Sequence, residues 1–238
     1  MKKLQFTILL FVLSFAVKAG NIETFFDKSD RFFAAYVVDG KVEYEALKYN
    51  SDLLNETLQM AATMDVSTLD INSYKAFWIN TYNLLVIKGI LDKYPMKSVQ
   101  EIQGFFDNTT YIVANQEMTL KFIEKNMLRK VMKDPLLNFV LVCAANGCPP
   151  LINKAYKPEY IDDQLDTQTR LSINNPNFIR IDNKLKKIMV SEIFYWYKED
   201  FINKDLRIID FINKYRIDKI DETFIVEYYK YDWTLNQK

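Results

Sequence analysis

The chain of 238 residues is 49% apolar and 26% charged, the balance of a folded globular protein, and its 31 basic residues equal its 31 acidic ones. It contains no histidine, which excludes Ser-His-Asp and Cys-His catalysis and imidazole-ligated metal centres, since each needs a side chain that titrates near neutrality or a neutral nitrogen donor. Five scattered glycines exclude a Gly-rich phosphate loop.

The amino-terminal segment reads as a signal peptide. Lys2 and Lys3 precede an apolar stretch over residues 4–17, short for a membrane span, and Val17-Lys-Ala19 places small residues at the −3 and −1 positions of a cleavage site. Export to the periplasm or the extracellular space is therefore expected, with residues 20–238 forming a single domain. Loss of residues 1–19 removes three lysines and no acid, leaving 28 basic against 31 acidic residues, a net charge of −3. That balance gives no electrostatic footprint for nucleic acid. No second stretch has the length and continuity of a membrane span.

Along the remaining chain, Phe25, Phe26, Phe32 and Phe33 form a helical stripe, and Asp39-Gly40 between apolar pairs signals a hairpin with a type I′ turn. Residues 51–64 read as a helix. Ser67 and Asp70 offer caps for a longer one that runs to about Tyr94 and stops before Pro95. This segment is apolar on nearly every side, so it belongs at the centre. Ser98 and Glu101 form a capping box. Residues 111–114 and 117–120 read as a second hairpin around Asn115-Gln116, and Thr119 caps a helix ended by Asp134-Pro135. The continuous apolar run over residues 137–143 predicts a strand buried on both faces. Further on, the pattern predicts a helix over residues 158–173, a hairpin of 178–181 with 187–190, helices over 191–201 and 206–215, and a last strand at 224–229. Helices outnumber short strands that do not alternate regularly with them, which predicts a helix-rich α+β fold with a small sheet of short hairpins and one buried central strand.

Four stretches resemble the family called domain of unknown function 547: Val38-Asp-Gly-Lys-Val-Glu-Tyr-Glu-Ala-Leu47, Ala76-Phe-Trp-Ile-Asn-Thr-Tyr-Asn-Leu-Leu85, Phe139-Val-Leu-Val-Cys-Ala-Ala-Asn-Gly-Cys-Pro-Pro-Leu151 and Ile193-Phe-Tyr-Trp-Tyr-Lys-Glu-Asp-Phe201. The closing Tyr231-Asp-Trp-Thr-Leu-Asn236 is similar to the family's usual ending. The resemblance implies little about activity, as the family name says. Its members commonly carry histidine where this chain has Lys125, after Glu124, and again at Asn138, so family chemistry that rests on those imidazoles is absent here or rebuilt.

Candidate site residues follow from burial and chemistry. Asn80 and Asn83 share a face of the central helix, and buried amides require partners, either loop backbone or a polar cleft. Cys143 and Cys148, in an oxidising compartment, are open to three states: a disulfide, two reduced core thiols or a reactive thiol. If one is a nucleophile, Glu124 or Lys125 is the available base, because a regular strand would turn Asn138 and Cys143 to opposite faces. Asp162, Asp163 and Asp166 read as an exposed helix face, so neither a metal nor a cofactor is expected. The leading expectation is an exported module, non-catalytic or catalytically degenerate, that binds a small molecule or an envelope protein through Asn80, Asn83, Lys125 and Asn138. The alternative is a thiol-dependent hydrolase or transferase that uses Cys143 or Cys148 with Glu124.

Overall fold

A computed structural model of the protein describes residues 21–238; the expected signal segment lies outside them. Helix α1 (Ile22–Tyr36) is capped by Asn21, whose side chain accepts from the Glu23 amide, and it leads into a hairpin of β1 (Val37–Val38) and β2 (Lys41–Val42). Asp39 and Gly40 both have positive φ, as the Asp-Gly signal requires. Helices α2 (Tyr44–Tyr49) and α3 (Asp52–Ala62) follow.

Helix α4 (Ile71–Leu91) is the axis of the molecule. Asp70 caps it, accepting from the amides of Asn72 and Ser73. Its residues 76–87 are all buried, on every side of the helix, as the unbroken apolar pattern predicts. A second hairpin, β3 (Thr110–Val113) with β4 (Gln116–Thr119), turns at Ala114 and Asn115, both with positive φ, one residue earlier than expected. Thr119 then caps a helix that starts as α5 (Leu120–Phe122), widens to a π-helical stretch over Ile123–Arg129 and ends as α6 (Lys130–Met132).

The predicted strand over residues 137–143 does not form. Asp134 and Pro135 open a 3-10 turn over Pro135–Phe139, and the chain then runs on through residues 140–143 without a strand neighbour. Its backbone groups find a side chain instead: the Asn83 carboxamide donates to the Val140 carbonyl (2.9 Å) and accepts from the Val142 amide (3.0 Å). Asn80 does the same one turn earlier on α4, donating to the Tyr156 carbonyl (2.7 Å) and accepting from the Tyr156 amide (2.9 Å). Both asparagines are fully buried. Each amide takes the place that a neighbouring strand would fill.

Helix α7 (Ile161–Asn174) leads to a three-stranded sheet in the order β5 (Ile179–Asp182), β6 (Lys187–Ser191), β7 (Ile225–Tyr229). The β5–β6 pair is the expected hairpin, whereas β7 joins β6 in parallel, so the sheet is mixed. Between β6 and β7 the expected aromatic helix breaks at Tyr197 into α8 (Ile193–Trp196) and α9 (Lys198–Phe201), followed by α10 (Ile208–Tyr215). The fold is helix-rich α+β, as predicted, without the buried central strand.

Two apolar clusters make the core. One surrounds α4; the other is built on Phe139, Phe178, Phe194, Phe201 and Phe211. Cys148 and Trp233 pack against both. The carboxy-terminal tail closes over this seam: the Asn146 amide donates to the Thr234 carbonyl, the Gly147 amide to Asp232, and the Asn236 amide to Ala144. A Cβ on Gly147 would stand 2.9 Å from the Tyr231 ring and the Asp232 nitrogen, so only glycine lets the tail lie this close.

Replacement of Asn83 by leucine leaves the Val142 N–H and the Val140 carbonyl buried without partners. At about 1–3 kcal/mol for each unsatisfied group, the variant is expected to lose roughly 2–5 kcal/mol in a urea titration. A loss below about 1 kcal/mol would show that the clamp does not support the fold.

Candidate functional site

A cavity of about 270 Å³ opens where the two apolar clusters meet, at the small end of the roughly 300–1,000 Å³ usual for ligand pockets. Glu124, Arg129 and Asn138 line its polar side, Cys143 and Cys148 another wall, and Tyr82, Trp196, Tyr197, Tyr231 and Trp233 supply aromatic surface.

The polar side depends on the π-helical turn. In an α-helix, residues five apart do not face each other; one wide turn closes i→i+5 and brings them together. Glu124 and Arg129 meet in this way, with Arg129 Nε 2.7 Å from Glu124 Oε1. The rest of the guanidinium is used as fully: Nη1 donates to Asp200 Oδ2 (2.6 Å) and Nη2 to Asn138 Oδ1 (2.8 Å). Asn138 in turn donates to Asp200 (2.8 Å) and to the Pro135 carbonyl (2.9 Å). Tyr197 lays its ring under the guanidinium, 4.0 Å from its carbon, and donates its hydroxyl to Glu124 Oε1 (3.1 Å).

The electrostatics follow from this network. Burial works against the Arg129 charge, but Glu124 and Asp200 outweigh it and hold the guanidinium pKa above its usual value. Burial, with the Glu124 carboxylate beside it, pushes the Tyr197 hydroxyl up to about 12, and the same two causes raise Tyr82 well above its ordinary value. Both phenols therefore stay protonated at neutral pH as hydrogen-bond donors. Two carboxylates against one guanidinium leave this cluster with one net negative charge. At the rim Asp107 and Lys121 pair at 3.1 Å and cancel. Glu124 uses one oxygen for both its partners; among the described residues none donates to Oε2.

Also on the cavity wall, the Cys143 and Cys148 sulfurs lie at disulfide distance, with Cα atoms 6.5 Å apart. The Tyr231 oxygen is 2.8 Å from Cys143 Sγ and 3.0 Å from Cys148 Sγ. Tyr231 packs against both Trp196 and Trp233, with ring centroids at 4.9 and 4.7 Å, and the two indoles stack on each other at 5.8 Å.

Of the residues singled out in the sequence, Glu124, Asn138, Cys143 and Cys148 meet at this cavity. Asn138 and Cys143 share it because the 3-10 turn replaces the strand that would have set them on opposite faces. Asn80 and Asn83 do not line it; Asn83 holds the segment that carries Leu141 and Val142 into the wall. Lys125 is exposed and lies outside the lining. Sequence reasoning missed Arg129, Asp200, Tyr197 and Tyr231. The available signals were the opposite charges of Glu124 and Arg129 five residues apart and the aromatic density of residues 193–201 and 231–233. Among the described residues no group of three or more cysteines, aspartates and glutamates is placed to hold a metal ion.

Residues 66–171 match the family described as "Protein of unknown function, DUF547". That span carries α4, Glu124, Arg129 and the Cys143–Cys148 turn; the resembling stretches at residues 38–47, 193–201 and 231–236 lie beyond it. No curated protein and no solved structure matches the chain.

Proposed function

We propose, for a chain that belongs to the DUF547 family through residues 66–171, that the protein is an exported binding module whose cavity takes a small organic cation. The observation that carries this reading is Glu124. It is half-buried, its Oε1 is held by Arg129 and Tyr197, and its Oε2 has no donor among the described residues, inside a cavity walled by six aromatic side chains.

A carboxylate held in one geometry with an unused oxygen favours a charged donor. Aromatic faces attract the same charge through their quadrupoles, by about 0.5–2 kcal/mol each, most where water is excluded. The net negative charge of the Glu124–Arg129–Asp200 cluster acts in the same direction. A volume of about 270 Å³ favours a small molecule over a protein segment. The hydrolase or transferase reading has less support, because the two sulfurs face each other at bonding distance and Glu124 is engaged by Arg129 and Tyr197 rather than by a thiol.

Export is supported by the Lys2-Lys3 start, the apolar residues 4–17 and the Val17-Lys-Ala19 site. No helix among the described residues is long and apolar enough to cross a membrane. Intact mass of the protein released by the cells is expected to correspond to a chain that starts at Gly20. Recovery of the full-length chain in the membrane fraction would contradict export.

For the cavity, calorimetry with quaternary ammonium and primary-amine compounds, set against neutral and anionic analogues of the same shape, is expected to show binding of the cations alone. Glu124→Gln keeps the shape and removes the charge. Loss of a charge-assisted contact, about 1.5–3 kcal/mol, predicts a roughly 10- to 100-fold weaker affinity. Equal binding of the neutral analogues, or an unchanged affinity in the variant, would contradict the cation reading.

A further inference from the structure

The cysteine wall of the cavity surrounds its sulfurs with hydrogen-bond donors. A disulfide sulfur accepts hydrogen bonds weakly, whereas a thiolate accepts them strongly. Yet Tyr231, only 7% exposed, directs its hydroxyl at both sulfurs, and the Cys143 amide donates to Cys148 Sγ at 3.0 Å. Burial raises the Tyr231 pKa, so this phenol keeps its proton. Cys148 Sγ thus stands before two donors, a phenol and a backbone N–H.

A purely structural bridge has little to hold in this place. The loop it closes spans five residues, and a loop so short constrains the unfolded chain least. The turn is already fixed by backbone bonds from Asn146 to Thr234, Gly147 to Asp232 and Cys148 to Ala145. Both cysteines, in contrast, are half-buried residues that line the cavity, within reach of a small molecule that enters it.

We propose that Cys143 and Cys148 form a redox-active pair that exchanges electrons with low-molecular-weight thiols and disulfides admitted by the cavity, with Cys148 as the stabilised thiolate and Tyr231 as its proton-bearing partner. In the reducing direction a thiolate RS⁻ attacks Cys143 Sγ. A Cys143–SR bond forms, the Cys143–Cys148 bond breaks, and its electron pair moves to Cys148 Sγ, where the Tyr231 hydroxyl and the Cys143 N–H receive the charge. A second RS⁻ attacks the outer sulfur of the mixed disulfide, releasing RSSR and the Cys143 thiolate. Of the two protons lost by the incoming thiols, one ends on Cys143 and the other passes to solvent, so two RSH are oxidised, one protein disulfide is reduced and Cys148 stays a thiolate. The better-stabilised sulfur is the better leaving group, which directs the first attack to Cys143. The inference is independent of which ligand the cavity binds.

The test uses the folded exported chain and glutathione. Incubation in mixtures of its reduced and oxidised forms, then acid quenching and mass spectrometry, is expected to show reversible two-electron exchange without unfolding. Cys148→Ser is expected to trap glutathione on Cys143. In the reduced wild-type protein Cys148 is expected to react with iodoacetamide at pH 7 faster than Cys143, and about tenfold faster than Cys148 of Tyr231→Phe, which serves should the serine variant fail to fold. Exchange seen only in urea would establish a structural bridge and overturn the proposal, as would equal Cys148 rates with and without the Tyr231 hydroxyl. Neither outcome bears on binding of organic cations, which calorimetry reads separately.

Discussion

Two asparagine side chains in the middle of a buried helix hold the rest of the structure in place. Asn80 and Asn83 stand on α4, which is covered all round, and each satisfies both backbone groups of an irregular segment that has no strand beside it. A buried N–H or carbonyl without a partner costs about as much as a lost hydrogen bond. Without these amides, the Val140 carbonyl, the Val142 amide and the backbone at Tyr156 would be buried without partners. The carboxamide is suited to the task because it presents one donor side and one acceptor side, as a strand edge does.

The cavity follows from that constraint. Because residues 140–142 are clamped to α4, the turn after them emerges at the seam between the two apolar clusters, where the tail pairs with it at Ala144, Asn146 and Gly147. The tail brings Tyr231 to the sulfurs, and the segment of α8 and α9 brings Tyr197 and Asp200 to Arg129. The site thus takes its residues from six separated parts of the chain. A single widened turn, over Ile123–Arg129, sets Glu124 and Arg129 side by side; π turns of this kind recur at functional sites.

Much of the fold was legible from residue patterns. Asp70, the unbroken apolar face of α4, the Asp39-Gly40 turn and the Thr119 cap each act locally, so the residues that signal an element are also the ones that form it. The strand expected at residues 137–143 failed because an apolar run records burial, not the source of the hydrogen bonds. That source is an Asn side chain nearly sixty residues earlier. Arg129 was invisible because α-helical spacing turns it away from Glu124. Tyr231 was invisible because 88 residues separate it from Cys143. The site residues found from sequence were those with distinctive chemistry of their own; those that act through partners needed the fold.

The most direct measurement of the clamp is amide hydrogen exchange at Val142 and Tyr156 in the native protein. Both lie outside every helix and strand, so an unclamped chain would exchange them nearly as fast as an exposed loop. If Asn83 and Asn80 hold them as described, both amides exchange only when the whole molecule unfolds, with protection equal to that of the α4 amides. Exchange at Val142 and Tyr156 far faster than at α4 would contradict the account.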